Sequence, residues 1–139
     1  MYNFSPYLFF DGNCGEAMAF YKQVFGGELN ITRVQDSPMK NSRSEKDWQQ
    51  VIHSQLKSGP IDISASDWLN PARERKQGNT ICLMLSNSTY DELKVIFDKL
   101  LDGAMVIDAL RNEFFGVYGA LTDKFGVRWM FQGNLPAKT

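Results

Sequence analysis

An internal repeat constrains this chain more than any other feature of its sequence. Three pairs of similar residues share one offset of 76 positions: Glu16 and Glu92, Tyr21 and Phe97, Gly27 and Gly103. A constant offset that runs through a helical segment and its terminating glycine indicates two copies of one structural unit. Because the chain has only 139 residues, each copy must be a small module.

The first copy is predicted to begin with a strand and a helix. The apolar run Tyr7–Phe10 predicts a strand buried on both faces. Apolar residues then recur at helical spacing: Ala17, Phe20, Tyr21, Val24 and Phe25. We expect Asp11 or Asn13 to cap this helix and Gly26-Gly27 to end it. A second strand is predicted over Glu28–Val34.

A polar loop and a hairpin complete the first copy. The stretch Gln35–Asp47 is charged and contains a proline, which favours a loop. Two alternating segments follow, Val51–Lys57 and 61–66, joined by the turn residues Ser58-Gly59-Pro60. The alternation predicts two faces in each strand. In the first strand, one face carries Ile52, Ser54 and Leu56, and the other carries Val51, His53 and Gln55. In the second strand, one face carries Ile61, Ile63 and Ala65, and the other carries Asp62, Ser64 and Ser66. The polar residues Asp67–Gln77 predict a solvated linker.

The second copy repeats the same order of elements. Thr80–Leu85 predicts a strand, and Thr89 with Glu92 three residues later predicts a capping box at a helix start. The helical stripe is again apolar: Leu93, Ile96, Phe97, Leu100 and Leu101. Three further strands are predicted, at Val106–Ala109, Val117–Leu121 and Val127–Phe131.

The element order predicts an α+β fold of two βαβββ modules with mostly antiparallel, curved sheets. We expect a single domain over residues 1–139, with module one at about 5–67, a linker at 68–78 and module two at about 79–133. One helix covers only one face of a four-stranded sheet. Pairing of modules, within or between chains, would turn the other face into a cavity or an interface.

Charge and hydropathy exclude some classes of partner. The net charge is −1 and the sequence pI about 5.8, so the chain lacks the basic field that gathers nucleic acid. No apolar run approaches the roughly 20 residues that span a bilayer, and the start lacks a signal peptide's basic region. We therefore expect a cytoplasmic protein without a nucleic-acid or membrane partner.

Two cysteines are too few for a disulfide framework, so both are expected to be reduced thiols. Cys14 lies at the predicted start of the first helix, where the helix dipole favours a thiolate. The alternative is that Cys14 is a small buried residue without reactivity.

Several motifs resemble the vicinal oxygen chelate superfamily of glyoxalase, bleomycin-resistance and dioxygenase proteins, and within it the PhnB-like branch. The motifs are Pro6–Ala17 with Phe20-Tyr21 and Gly26-Gly27, then Glu113–Gly119 and Thr122–Met130. With the repeat, they cover nearly the whole chain. The resemblance implies the glyoxalase/bleomycin resistance/dioxygenase-like fold and a homodimer.

Members of this superfamily commonly bind a divalent metal through His, Glu or Gln side chains. In this chain the corresponding positions fall at Pro6 or Tyr7, at Asn79 or Thr80, and at Met130. Asp62 is a carboxylate near a family ligand position, and His53 lies one strand earlier. Because a thioether and amides hold zinc, nickel or iron(II) weakly, we expect no metal site and no cofactor.

A cavity lined by both modules is expected to bind a small organic molecule. Its predicted lining residues are Phe9, His53, Asp62, Ser64, Cys82, Tyr118 and Met130. Three alternatives stay open for His53: a structural or edge-strand residue, a hydrogen-bonding group or base in the pocket, or a metal ligand. Trp129 is predicted to be in the core, and Trp48 and Trp68 to border a pocket or an interface.

Three functions are compatible with these features. We expect a PhnB-like protein that binds a small molecule without a catalytic metal. The alternatives are an atypical metal-dependent lyase, isomerase or dioxygenase that uses Asp62 and His53, and a non-catalytic interaction module. The PhnB-like branch is also linked by name to ubiquinone methyl transfer. That activity is not expected, because the chain lacks a glycine-rich strand-to-helix loop for a nucleoside cofactor.

Overall fold

The computed structural model describes residues 1–135. The chain divides into two compact units, and the boundary lies between Arg75 and Lys76. This boundary lies inside the stretch predicted to be the linker.

The first unit contains one four-stranded sheet and one helix. Its elements are β1 (Tyr7–Phe10), α1 (Cys14–Phe25), β2 (Glu28–Arg33), β3 (Val51–Ser58) and β4 (Ile61–Asp67). The strand order is β1-β4-β3-β2, in which β1 runs parallel to β4 and the other neighbours are antiparallel. Three short 3-10 turns lie between β2 and β3, at Val34–Asp36, Pro38–Ser42 and Glu45–Asp47.

The second unit repeats this topology. Its elements are β5 (Leu83–Ser86), α2 (Tyr90–Leu100), β6 (Met105–Glu113), β7 (Gly116–Thr122) and β8 (Arg128–Gln132). The strand order is β5-β8-β7-β6, again with one parallel pair, β5 and β8. The predicted α+β fold of two βαβββ modules is therefore confirmed, and so is the predominance of antiparallel pairs.

The 76-residue offset is confirmed for the first strand and the helix of each unit. Tyr7 and Leu83 begin the first strands, and Cys14 and Tyr90 begin the helices. The chain just after each helix passes through a glycine with positive φ, Gly27 at 88° and Gly103 at 72°. A Cβ atom at Gly27 would collide with the backbone of the β3–β4 hairpin, so both conformation and space require glycine there.

Each helix packs on one face of its own sheet, which we call the helix face, and the opposite side is called the far face. In the first unit Phe10, Tyr21 and Leu56 are fully buried in this layer. In the second unit Phe97 is buried, and its ring lies 5.2 Å from that of Phe131. Trp129 is also buried, as predicted. Burial of these apolar side chains supplies the main driving force for folding each unit.

Three sequence predictions about the strands were wrong. β1 is not buried on both faces, because Tyr7 and Phe9 on the far face remain about half exposed. β5 begins at Leu83 rather than Thr80, and β6 extends to Glu113 instead of ending at Ala109. The β7–β8 hairpin, by contrast, lies where the turn residues predicted it.

The predicted alternation of β3 was also wrong at its start. The pairing of β2 with β3 shifts between Thr32 and Arg33, which leaves Ile52 as an extra residue in β3. Val51 is therefore buried, and its N–H donates to Asp67 at 2.8 Å, while Ile52 turns to the other side of the strand. A β-bulge of this kind cannot be located from alternation alone.

No helix among residues 1–135 is long and apolar enough to cross a membrane.

Candidate functional site

A row of four ring side chains crosses the far face of the first sheet. Trp68 contacts Phe9 edge-to-face at 5.4 Å, Phe9 lies 5.0 Å from Tyr7, and Tyr7 stacks on His53 at 5.9 Å. The Tyr7 hydroxyl is 3.4 Å from Nδ1 of His53. We call these residues the aromatic row. The rings are partly exposed and inclined to one another, so they present an apolar surface with a polar group at one end.

Strand pairing explains why these residues share a face. Tyr7 pairs with Ser64 and Phe9 with Ser66, and small serines beside the rings leave room for them. His53 lies on β3, which has neighbours on both sides, so the alternative of an edge-strand histidine was wrong. The bulge at Ile52 places two consecutive residues, Ile52 and His53, toward the far face.

Asp62 and Ser64 lie on the same face of β4, as predicted. Ser64 is buried, and it pairs with Gln55 of β3. The Gln55 side chain donates to Oδ1 of Asp62 at 3.0 Å. The carboxylate therefore already has a protein partner and lies away from the aromatic row.

A groove of about 510 Å³ lies at the Trp68 end of the aromatic row. One wall is the β2–β3 loop, residues 34–50, which contributes Met39 and Arg43. The other wall is the segment after β4, and Phe9, Ile52 and Ser66 lie between the two. The full lining is Phe9, Met39, Arg43, Ile52, Ser66, Asp67, Trp68, Leu69, Asn70 and Pro71.

Backbone hydrogen bonds hold both walls in place. The β2–β3 loop is closed at its base by Val34 N–H donating to Gln50 at 2.9 Å and Gln35 N–H donating to Trp48 at 3.0 Å. The opposite wall is bound to β1, since Trp68 N–H donates to the carbonyl of Phe10 at 2.7 Å. The groove is thus formed by ordered chain on both sides.

The second unit carries the other predicted site residues. Tyr118 lies on β7, its hydroxyl donates to Asp108 at 3.4 Å, and the Arg111 guanidinium lies 5.4 Å from its ring centre. Met130 on β8 pairs with Met84 and Ala120 on the neighbouring strands. Cys82 directly precedes β5, is partly buried and is a free thiol. Tyr118 and Met130 belong to the far face, opposite Phe131 and Leu121 on the helix face.

Asp67 is the buried polar centre of the first unit. Its Oδ1 accepts from the N–H of Cys14 at 2.9 Å, and its Oδ2 accepts from the N–H of Val51. Asn13 occupies the N-cap position of α1 but makes no side-chain cap. The predicted local cap by Asp11 or Asn13 was therefore wrong, because the Asp67 carboxylate, 53 residues after Cys14, accepts from the N–H at the start of the helix. Assigning Asp67 to the linker was wrong for the same reason.

Cys14 is the small buried residue of the two alternatives. Its side chain is fully buried, and burial raises the pKa of the Cys14 thiol to about 12. A hydrogen bond with Ser54 at 3.7 Å partly opposes this rise in pKa. The protonated thiol is therefore the stable form at neutral pH, and it is a poor nucleophile.

The donor set of the described residues does not fit the divalent metal that the fold implies. His53 lies four residues before Lys57, the strand partner of Asp62. Four strand residues span about 13 Å, so His53 and Asp62 cannot ligate one ion. No group of three or more His, Cys, Asp or Glu side chains within residues 1–135 is arranged to hold a metal.

Sequence reasoning found Phe9 but missed most of the groove. Met39 and Arg43 belong to a loop without periodicity, so no pattern indicated which of its side chains point inward. Ile52 was assigned to the wrong face because the bulge was not recognised. Trp68 was expected at a pocket edge, and it does line the groove.

Comparison with known proteins assigns the family. The model of the 3-demethylubiquinone-9 3-methyltransferase family matches residues 2–132. The chain belongs to this PhnB-like family. Protein YjdN of Escherichia coli is 30% identical over 136 residues, covering 91% of each chain. The predicted PhnB-like membership is thereby confirmed.

Solved structures show the same fold for this PhnB-like protein. Protein PA1353 of Pseudomonas aeruginosa is 30% identical, covers 98% of this chain and 100% of its own, and superposes with a TM-score of 0.86. The PhnB protein of Bacillus cereus is 22% identical, covers 96% and 100%, and has a TM-score of 0.72.

A more distant solved structure also shares the fold. A glyoxalase/bleomycin resistance protein/dioxygenase family enzyme of Burkholderia phytofirmans is 19% identical, covers 94% of this chain and 97% of its own, and has a TM-score of 0.61. The predicted glyoxalase/bleomycin resistance/dioxygenase-like fold is therefore correct.

Proposed function

We propose that this PhnB-like protein binds a small organic molecule on the far face of its sheets and does so without a catalytic metal. Of the expected lining residues, Phe9 lines the groove and His53 belongs to the aromatic row beside it, while Asp62 and Ser64 lie farther along the same face. Cys82, Tyr118 and Met130 belong to the second unit and are proposed as ligand-binding residues of that unit alone. The observation that carries this proposal is the partly exposed aromatic row beside an ordered groove of about 510 Å³. That volume is typical of small-molecule sites.

The residue types favour binding over metal chemistry. Apolar rings supply contact area, and the few polar groups near them, such as the Ser66 hydroxyl and the Tyr7–His53 pair, can orient a ligand. The wide separation of His53 from Asp62 supports a metal-free site. Methyl transfer is not proposed from the family's name, because both sheets are mixed four-stranded sheets rather than a doubly wound parallel one.

A homodimer is part of the same proposal. Large apolar side chains are exposed on the second unit: Ile81 at 80%, Met105 at 70% and Phe114 at 90%. β6, an edge strand of its sheet, also leaves Val106 and Ile107 nearly half exposed. Exposed apolar strands of this kind are usually covered by a partner, and two-fold pairing is the commonest solution.

Native mass spectrometry tests this proposal. The full chain would be purified without a metal-affinity tag and without added ligand. We expect a dimer that carries a small organic adduct and no stoichiometric zinc, nickel, manganese or iron. The adduct should be depleted in Phe9→Ala and retained in Val95→Ala, which removes an exposed apolar side chain from α2.

Two results would contradict the proposal. One is the detection of a monomer alone at micromolar concentration, which contradicts the proposed homodimer. The other is about one metal ion per chain that disappears in Asp62→Ala, which favours the metal-dependent enzyme.

A further inference from the structure

The lining of the first unit's groove contains one cationic side chain, Arg43, and one carboxylate, Asp67, among apolar and neutral residues. Phe9, Met39, Ile52, Trp68, Leu69 and Pro71 are apolar, and Ser66 and Asn70 are polar but neutral. The Asp67 carboxylate also borders the groove, but it is buried and accepts the N–H groups of Cys14 and Val51. Arg43 is therefore the charged side chain that a ligand in the groove would meet.

The Arg43 guanidinium is held in position while part of it stays available. Its Nη2 donates to the carbonyl of Leu69 at 2.6 Å, which joins the two walls of the groove. Its Nη1 forms an ion pair with the Asp47 carboxylate at 3.7 Å, a separation longer than a hydrogen bond. Arginine carries five N–H donors in a planar fork, so donors remain for an incoming acid.

From these contacts we propose that the groove binds an apolar molecule that carries one carboxylate. The apolar body lies against Phe9 and Trp68, and the carboxylate accepts hydrogen bonds from Arg43. This inference rests on the proposed function and names the ligand class of its site in the first unit. Arg43 acts here as a specificity-determining residue, since a hydrogen-bonded charge discriminates strongly against a neutral analogue.

A matched pair of probes separates charge from shape. 2-Naphthoate and 2-naphthamide have the same aromatic body, but only naphthoate carries a negative charge at pH 7. Isothermal titration of the full chain should show naphthoate binding at least about tenfold more tightly than naphthamide, because hydrogen bonds to charged groups are the stronger ones.

Two variants should change this ratio in opposite directions. Arg43→Gln should remove the preference for naphthoate. Asp47→Asn should raise the affinity for naphthoate several-fold, because it removes the carboxylate that competes for Arg43. Lys22→Gln is the control, since Lys22 is an exposed cation on α1 in the same unit and lies outside the groove lining. It should leave both affinities unchanged.

Asp47→Asn keeps the inference falsifiable if loss of the Leu69 contact unfolds the Arg43 variant. Equal affinities for the two probes, or a preference that survives in folded Arg43→Gln, would overturn the inference. So would the absence of binding by either probe. An organic adduct in the native mass spectrum that proved to be uncharged would also overturn it, while leaving the proposed function intact.

Discussion

The two units share a topology and differ most in the connection between their second and third strands. In the first unit this connection is a loop over residues 34–50, with three 3-10 turns. In the second unit the corresponding strands, β6 and β7, are joined by only Phe114 and Phe115. The long loop forms one wall of the groove, so this difference in length gives the first unit a candidate site. The two units share their fold, and the candidate site lies where the first unit differs from the second.

The two units also differ in how the first turn of their helix is capped. α2 is capped locally, since Thr89 accepts from the N–H of Glu92 at 3.2 Å, as the capping box predicts. Glu92 itself does not complete the box, because it accepts from Ser88 instead. α1 receives its cap from Asp67 at the end of β4. The start of α1 therefore depends on the tertiary fold, and the start of α2 depends on its own sequence.

The largest effect is expected where the units are most alike, in the helix layer. Phe97→Ala should lower the free energy of unfolding by about 3 to 5 kcal/mol, because a large buried ring leaves a cavity against Phe131. Chemical denaturation measures this, and Val95→Ala on the exposed side of α2 is the control. A loss below about 1 kcal/mol would show that the ring does not hold the layer together.

A smaller but asymmetric effect is expected at the helix starts. Asp67→Asn should cost about 2 to 3 kcal/mol, because one of two buried N–H groups loses a charged acceptor. Thr89→Ala should cost about 1 kcal/mol, the usual value of a local cap. Equilibrium unfolding of both variants tests the order. Equal losses would contradict the distinction between a tertiary and a local cap.

Much of the fold could be predicted because it depends on local patterns. Helical stripes, terminating glycines and the β7–β8 turn all act within a few residues of where they are seen. The site was harder to predict, because it depends on contacts between distant residues. Asp67 was assigned to a linker by its polarity, and Arg43 was one of several charges in a loop. The bulge at Ile52 places this side chain on the opposite face of β3 from the one that simple alternation predicts.

The smallest effect concerns the two thiols. Burial raises the pKa of the Cys14 thiol to about 12, so the thiol of the unfolded chain deprotonates first as the pH rises above 9. The folded state therefore keeps its full stability below pH 9 and loses stability as the pH rises toward 12. At pH 8 iodoacetamide should modify Cys82 and spare Cys14 in the folded chain. Peptide mass spectrometry measures this, with unfolded protein as the control in which both react. Rapid labelling of Cys14 in folded protein would contradict its burial.

The three tryptophan indoles provide the most direct test of the central claim, that the first unit's groove holds the ligand. Trp68 lines the groove, and Trp48 lies in the β2–β3 loop, where its Nε1–H donates to the Arg43 carbonyl at 3.3 Å. Trp129 is buried in the second unit, and its Nε1–H donates to Asp123 at 2.9 Å. Their N–H signals can be followed by nuclear magnetic resonance during a titration with 2-naphthoate. We predict that the Trp68 signal shifts most, that Trp48 shifts less and that Trp129 does not move. A Trp129 shift with a stationary Trp68 signal would contradict the claim.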